Sequence, residues 1–526
     1  WELVDTLGVL SEDFMLNSIF DFIVPVTDFL WDFPTNFSWY ANIPVLGKFS
    51  LPIVLLVFTG IFFTLRTRFV QIAFFRAGLR ILARKQETQT GVSSLAAFLL
   101  STAMRVGPGN IMGVTGAISV GGPGALFWMW FSAFLGMSTA FAEAVLAQIF
   151  KEQKEREFVG GLPFYGMRLL ANKKWIGMVL SSFFVSYALL NIPPQTFHMF
   201  TALGSVFDAL ATEPHARDSN IYVGLGVFLA IAVGASTLGG VKRLTKVTDY
   251  VVPVMAVLYI LTVVVILCIN FEKIPSMLAS VFEGAFSPQA IFGGAFGVAL
   301  MQGIKRGLMS NEAGQGTVTM AAAVADNKHP CEQGFVQSLG VFLDTMIICS
   351  LTGFLVIMAH VWDGDAGVVW ESVRTSKLTV YMSSVAHLVP GTEFDVPVKI
   401  LLALCYAMFA FTTLVGMISF AEIAGNAMTR KRGFSFFIRA SGALLLVPFG
   451  ALCVIEGYEL GNIWYIADFS NVMMVFANIP LLWLGSGIVL RALAHYKSTG
   501  GAPLIDSDIG VRTDCWKTSI NSQKQL

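Results

Sequence analysis

Long stretches without a charged residue dominate the chain, and short polar segments separate them. Charge-free runs include Phe49–Leu65, Val106–Ala142, Trp175–Phe207, Ser219–Val241, Tyr250–Phe271 and Gly284–Ile304. Others are Thr345–Trp362, Ile400–Ala421, Ala440–Ile455 and Phe469–Leu490. A helix needs about 20 apolar residues to cross roughly 30 Å of hydrocarbon. Val106–Ala142 is too long for one crossing and holds the turn Gly121-Gly122-Pro123-Gly124, so it reads as two spans. The pattern therefore predicts an all-α polytopic membrane protein of eleven spans.

Composition agrees with that reading. Of 526 residues, 55% are hydrophobic and 13% charged, against about 25% charged in an ordinary soluble chain. No stretch remains for a separate soluble catalytic domain. Net charge is zero, yet the basic residues are unevenly placed. Segments 66–90, 151–175, 239–248, 304–331, 429–440 and 491–526 hold 27 of the 34 Lys and Arg, and the alternate loops hold 6. Basic loops stay in the cytoplasm, which predicts an outside N-terminus and an inside C-terminus in the cell (inner) membrane. Segment 1–48, with Glu2, Asp5, Glu12, Asp13, Asp21, Asp28 and Asp32, reads as an acidic external arm with an interfacial helix. Trp31, Trp39 and Tyr40 are its expected aromatic anchors. The chain begins at Trp1 rather than a methionine, as expected of a trimmed or partial N-terminus. The polar tail after Tyr496 lacks periodicity and is expected to be disordered.

Two spans look interrupted. One is centred on Arg105-Val106-Gly107-Pro108-Gly109-Asn110, where proline removes a backbone donor and glycines relieve steric limits. The other is 284–304, with Gly293-Gly294-Ala295-Phe296-Gly297 at its centre. With 49–66 set aside as an extra N-terminal helix, each break opens a five-span block, 91–270 and 284–494, followed by the tail 495–526. Five is odd, so the blocks enter the membrane from opposite sides. Inverted repeats with paired broken helices point to a transport site at mid-membrane. Glycines of this kind also serve simple close packing, as Gly109-x-x-x-Gly113 would.

Ionisable residues inside spans are costly and mark functional candidates. Arg105 sits mid-span beside the first break. Glu143, Asp344 and Glu422 fall within or near span ends, and Glu312 follows Lys305 and Arg306 in a Gly-rich stretch. These four acids read as gating or structural charges, with an ion pair between Glu312 and a basic residue one expectation. Gln195 follows Pro193-Pro194, which should kink its span. Thr412 and Thr413 offer vicinal hydroxyls mid-span, hard oxygen ligands for a small alkali cation, although such threonines commonly bond their own helix. The six histidines (198, 215, 329, 360, 387, 495) and six cysteines show no metal spacing. No Gly-x-x-x-x-Gly-Lys-Ser/Thr loop is present. A membrane-embedded enzyme is therefore disfavoured, while a channel or sensor on the same scaffold stays open.

Several stretches resemble the alanine or glycine:cation symporters, within the superfamily that shares the LeuT-type fold. They are Gly107-x-Gly109-Asn110-Ile111-x-Gly113-Val114, Gly121 to Trp130, Phe141-Ala142-Glu143 and Gly240 to Val247. Arg306 to Gly314, Lys328-His329-Pro330 and Phe409 to Thr413 complete the set, in order from about residue 50 to 490. The resemblance implies a ten-span core of two inverted repeats and sodium- or proton-coupled uptake of a small neutral amino acid, alanine or glycine. It puts Gly109 and Asn110 at the substrate and ion site and matches Gln195 to a family glutamine. Gly293, Gly294 and Phe296 would line the second break. Thr412 and Thr413, with carbonyls near Ala103 and Val106, would bind sodium together with Asn110. No cofactor beyond the coupling ion is implied, and no nucleic acid; the partners are the solute and the bilayer, with a monomer expected. Three departures fall at the cavity: Arg105 and Pro108 stand where the family usually has threonine, and Met417 where it has tryptophan. Arg105 could pair with a substrate carboxylate or stand in for a bound cation. The alternatives this leaves are a sodium-independent or proton-coupled transporter of another amino acid or small anion.

Overall fold

The computed structural model describes residues 23–43, 47, 49–86, 90–155, 157–210, 220–286, 295–360, 377–389, 391–455 and 460–516. Helices follow the apolar runs. In chain order they are α1 (Leu51–Arg66), α2 (Ser94–Arg105), α3 (Val114–Gly121), α4 (Gly124–Ile149), α5 (Leu162–Leu169), α6 (Lys174–Leu190) and α7 (Ile192–Leu210). Then come α8 (Asn220–Thr237), α9 (Val241–Ile269), α10 (Ile274–Phe286), α11 (Ala295–Asn311) and α12 (Thr319–Val324). The last five are α13 (Pro330–Ala359), α14 (Lys377–Leu388), α15 (Thr392–Gly425), α16 (Arg432–Ile455) and α17 (Leu460–Thr499). A two-stranded antiparallel hairpin, β1 (Glu152–Lys154) and β2 (Glu157–Val159), links α4 to α5, with Glu152 opposite Val159.

Eight helices among the described residues are long and apolar enough to cross a membrane, taking α6 and α7 as one span bent at Asn191. The other spans expected from sequence correspond to the shorter α1 and to two segments that stop in mid-course, α2/α3 and α11/α12. The turn expected at 121–124 is present: α3 ends at Gly121, and Gly122 takes φ +70°. α4 is the hub. It packs along α11 and α13, with α1 on its far side, while α6, α7 and α9 pack around α15. α15 also meets α2, so the two groups touch at the first break. α3 lies against α11 and α2 against α12, which sets the two interrupted segments side by side.

Three peripheral expectations change. Trp31 is buried rather than an interfacial anchor: its indole N–H donates to the Asp468 carbonyl at 2.9 Å. Lys305 Nζ lies 4.5 Å from the centre of the same indole ring. Lys305 and Arg306 therefore belong to α11, not to a basic loop. The tail is ordered through Trp516. Its indole N–H reaches the Gln148 carbonyl at 2.7 Å, Asp514 pairs with Arg168, and Arg491 Nε holds the Ile509 carbonyl at 2.8 Å. One aromatic anchor and a few polar ties seat a segment whose composition reads as disordered.

His329 caps α13, its Nδ1 accepting the Cys331 N–H at 3.1 Å, with the His495 ring stacked on it at 5.4 Å. Burial, then the neighbouring His495, lowers its pKa to about 4. The unfolded chain takes up this proton near the ordinary value of about 6.5 and the folded chain does not. Stability should therefore fall as pH drops from about 6.5 towards 4, by at most about 3 kcal/mol. Thermal unfolding of wild type and H329Q across that window checks this, since H329Q should lose most of the acid sensitivity.

Candidate functional site

At the first break the helix runs out of backbone donors. The Val106 N–H is the last to bond back into α2, to the Thr102 carbonyl at 2.8 Å. The Gly107 N–H turns instead to Asn110 Oδ1 at 2.8 Å, Pro108 has none, and the Asn110 N–H bonds the Gly107 carbonyl at 3.1 Å. The carbonyls of Ala103, Met104 and Val106 thereby lose the donors that a continued helix would give them. The chain resumes as a π-helical turn, Gly109–Gly113, before α3. Such backbone survives at membrane depth only inside protein or against a cavity. A Cβ added at Gly109 or Gly113 would meet nothing within 4 Å, so open space adjoins this turn.

α15 closes the opposite side. A Cβ on Gly107 would lie 2.5 Å from Thr413 Oγ1, so only glycine permits this approach. Thr413 and Thr412 donate their hydroxyl protons to their own helix, to the Phe409 carbonyl at 2.9 Å and the Met408 carbonyl at 3.1 Å. The hydroxyl oxygens keep lone pairs for a further ligand. Like the freed carbonyls of the first break, these are hard, neutral oxygens. Met417, one turn on, is buried, and neighbouring Gly416 backs onto Met104. Gln195 sits buried in the first turn of α7 with its Oε1 lacking a hydrogen-bond partner.

A second interruption is described between α11 and α12. Gly293 and Gly294 fall outside the described residues, and Ala295 to Gly297, Phe296 included, are helical. α11 stops at Asn311, and the chain turns through Glu312 (φ +57°), Gly314 (φ +94°) and Gly316 (φ +77°) before α12. Glu143 of α4 satisfies this turn. Its Oε1 accepts the N–H groups of Gly314 (3.0 Å) and Gly316 (2.8 Å) and the Asn478 amide (2.6 Å). Asn478 of α17 also donates to the Gly314 carbonyl at 2.9 Å and accepts from the Tyr165 hydroxyl. Glu312 lies in the turn itself and accepts from Thr317 Oγ1 at 2.6 Å. Among the described residues no basic group lies within 4 Å of it, so the expected ion pair does not form.

The remaining charges divide by role. Arg105 points between the breaks, Nε donating to the Asn311 carbonyl and Nη1 to Gln337 Oε1, each at 3.1 Å. Asp344, in a π-helical stretch of α13, accepts from Asn110 Nδ2 (2.6 Å), Thr345 Oγ1 (2.8 Å) and Ser310 Oγ (3.0 Å). Asn110 is thus committed to Gly107 and Asp344. Glu422 is paired with Arg439, which donates to both carboxylate oxygens through its Nε–Nη2 edge, with Nε at 2.7 Å.

This arrangement has known counterparts. The family model described as the sodium:alanine symporter family matches residues 37–503. The chain belongs to that family. Among curated relatives, a probable sodium/glutamine symporter, GlnT, of Bacillus subtilis is 33% identical over 481 residues. That match covers 89% of this chain and 94% of the relative. A sodium/alanine symporter, AgcS, of Methanococcus maripaludis is 34% identical over 459 residues, 86% and 94% of the two chains. The crystal structure of MhsT in complex with L-phenylalanine aligns with a TM-score of 0.53 at 14% identity. It covers 84% of this chain and 95% of that one, and shows the LeuT-type fold shared by the two. The protein is accordingly a multi-pass membrane transporter and not an enzyme. Sequence gives no role to Gln337 or Asn478, although Asn478 carries a signal, a polar amide within the charge-free run Phe469–Leu490.

Proposed function

We propose that the protein is a secondary active transporter carrying a small neutral amino acid, alanine or glycine, into the cell together with sodium. The observation that carries this reading is the pair of interrupted helices lying side by side, with unsatisfied backbone groups and open space at Gly109. The substrate lies between Gly107–Asn110 and Glu312–Val318. The start of the π turn favours its carboxylate. Pro108, Gly109, Gln195 and Met417 shape the pocket, and the unpartnered Gln195 Oε1 is suited to an ammonium donor. Thr412, Thr413 and the carbonyls of Ala103 and Val106 hold sodium. The blocks 91–270 and 284–494 act as inverted repeats with α1 outside them, the N-terminus external and the tail cytoplasmic.

Uptake of labelled alanine and glycine by the purified protein in liposomes tests this, with and without an inward sodium gradient. Saturable, sodium-dependent accumulation above equilibrium is expected. Equal uptake in choline, or flux that never concentrates substrate, would overturn it. A second reading, a larger neutral amino acid such as glutamine, is favoured by Met417, a flexible side chain where the resemblance has an indole. Glutamine outcompeting alanine at equal concentration would select it.

A further inference from the structure

One buried basic group lies between the two breaks, with its Nη2 left without a hydrogen-bond partner. Arg105 is 2% exposed at mid-membrane, where retaining a charge is expensive. It is the last residue of α2, and through Nε it holds the carbonyl of Asn311, the last residue of α11. Two helix C-termini, each carrying about half a negative charge, therefore converge on one guanidinium. Room is made for it. A Cβ on Gly340 of α13 would lie 2.0 Å from Nη1, so a larger residue there would have to displace the guanidinium.

The carboxylates whose charges act on Arg105 are Asp344, Glu312 and Glu143. Among the described residues none lies within ion-pair distance of it, and each is held by neutral donors. Arg105 is thus bound to carbonyl and amide oxygens, the ligand set a desolvated mobile cation would use, and not to a carboxylate partner. Broken transporter helices coordinate their coupling ions with such half-helix C-termini and unwound carbonyls. A guanidinium differs from sodium or a proton in one respect: it cannot leave or lose its charge.

We propose that Arg105 is a tethered counter-cation, occupying the carbonyl end of α11 in place of a mobile cation and so lowering by one the cations needed per substrate. This rests on the transport reading above, but it concerns a difference between variant and wild type and not the identity of the coupling ion. The site stays filled throughout the cycle, so its charge is never carried across. Removing the guanidinium re-creates an electronegative pocket that a free cation must fill.

R105T, R105Q and R105K, compared with wild type, supply the test. Two quantities are read: charge moved per substrate, from reversal potentials in proteoliposomes, and the unfolding midpoint in sodium against choline chloride. R105T and R105Q should move one more charge per substrate than wild type. Both should also gain a sodium-dependent rise in Tm beyond that of wild type. R105K, which keeps a tethered charge, should match the wild-type count. Neutral variants with wild-type stoichiometry and wild-type sodium response would overturn the proposal and leave Arg105 a packing residue. Failure to recover R105T and R105Q in any alkali chloride would overturn it too, because a mobile cation must be able to take the vacated place. If wild type shows no uptake, the symporter reading fails alone, and the difference in Tm response still decides this inference.

Discussion

Replacing Glu143 with alanine is expected to lower the stability of the folded protein by about 3–5 kcal/mol and to abolish uptake. Three donors share its Oε1, and two of them are the amides of Gly314 and Gly316 in the second break. Removing the acceptor leaves those N–H groups unpaired inside the membrane, where water cannot replace it. E143Q separates charge from geometry. Its amide oxygen can still accept, so a smaller loss of about 1–2 kcal/mol is expected. Unfolding of the purified variants in detergent, paired with liposome uptake, gives both readouts. An E143A protein within about 1 kcal/mol of wild type would mean that the turn finds its acceptors elsewhere.

G107A should have the next largest effect. The added methyl would lie 2.5 Å from Thr413 Oγ1 and must push α15 away from the first break. Overpacking of this kind costs about 1–3 kcal/mol. Spent on the proposed ion site, it should raise the sodium concentration for half-maximal uptake by about ten- to a hundredfold. G107A/T413A removes the clashing atom, so its stability should recover while the raised sodium requirement persists. Recovery of the wild-type sodium requirement in that double variant would take Thr413 out of the ion site.

How far the sequence reveals this architecture depends on what kind of signal a residue sends. Pro108 announces the first break because it lacks an N–H, a property independent of context, and the helix stops at Arg105. The second break sends no such signal. In sequence the turn at Glu312 to Gly316 reads as a Gly-rich loop, while the Gly293-Gly294 pair falls outside the described residues. What makes it a break is Glu143, a residue far away in the chain that supplies the missing acceptor. Glu422 and Arg439, 17 residues apart, show the converse: each is visible as a charge, but their pairing is set by how α15 meets α16. Trp516 holds the tail by a single indole, and periodicity cannot register a single residue.

The Glu143 contacts carry a consequence for how the chain is made. Gly314 and Gly316 lie 171 and 173 residues downstream of Glu143, and Asn478 lies 335 downstream. At about 5–20 residues per second, a ribosome delivers the glycines roughly 10–35 s after Glu143, and Asn478 after about 17–67 s. During that interval α4 carries an acidic side chain with none of its eventual donors yet synthesised. Insertion of α4 must therefore proceed with the carboxyl protonated, or with that end of the helix held at the headgroups. The final position of this helix is set only when α17 docks against it.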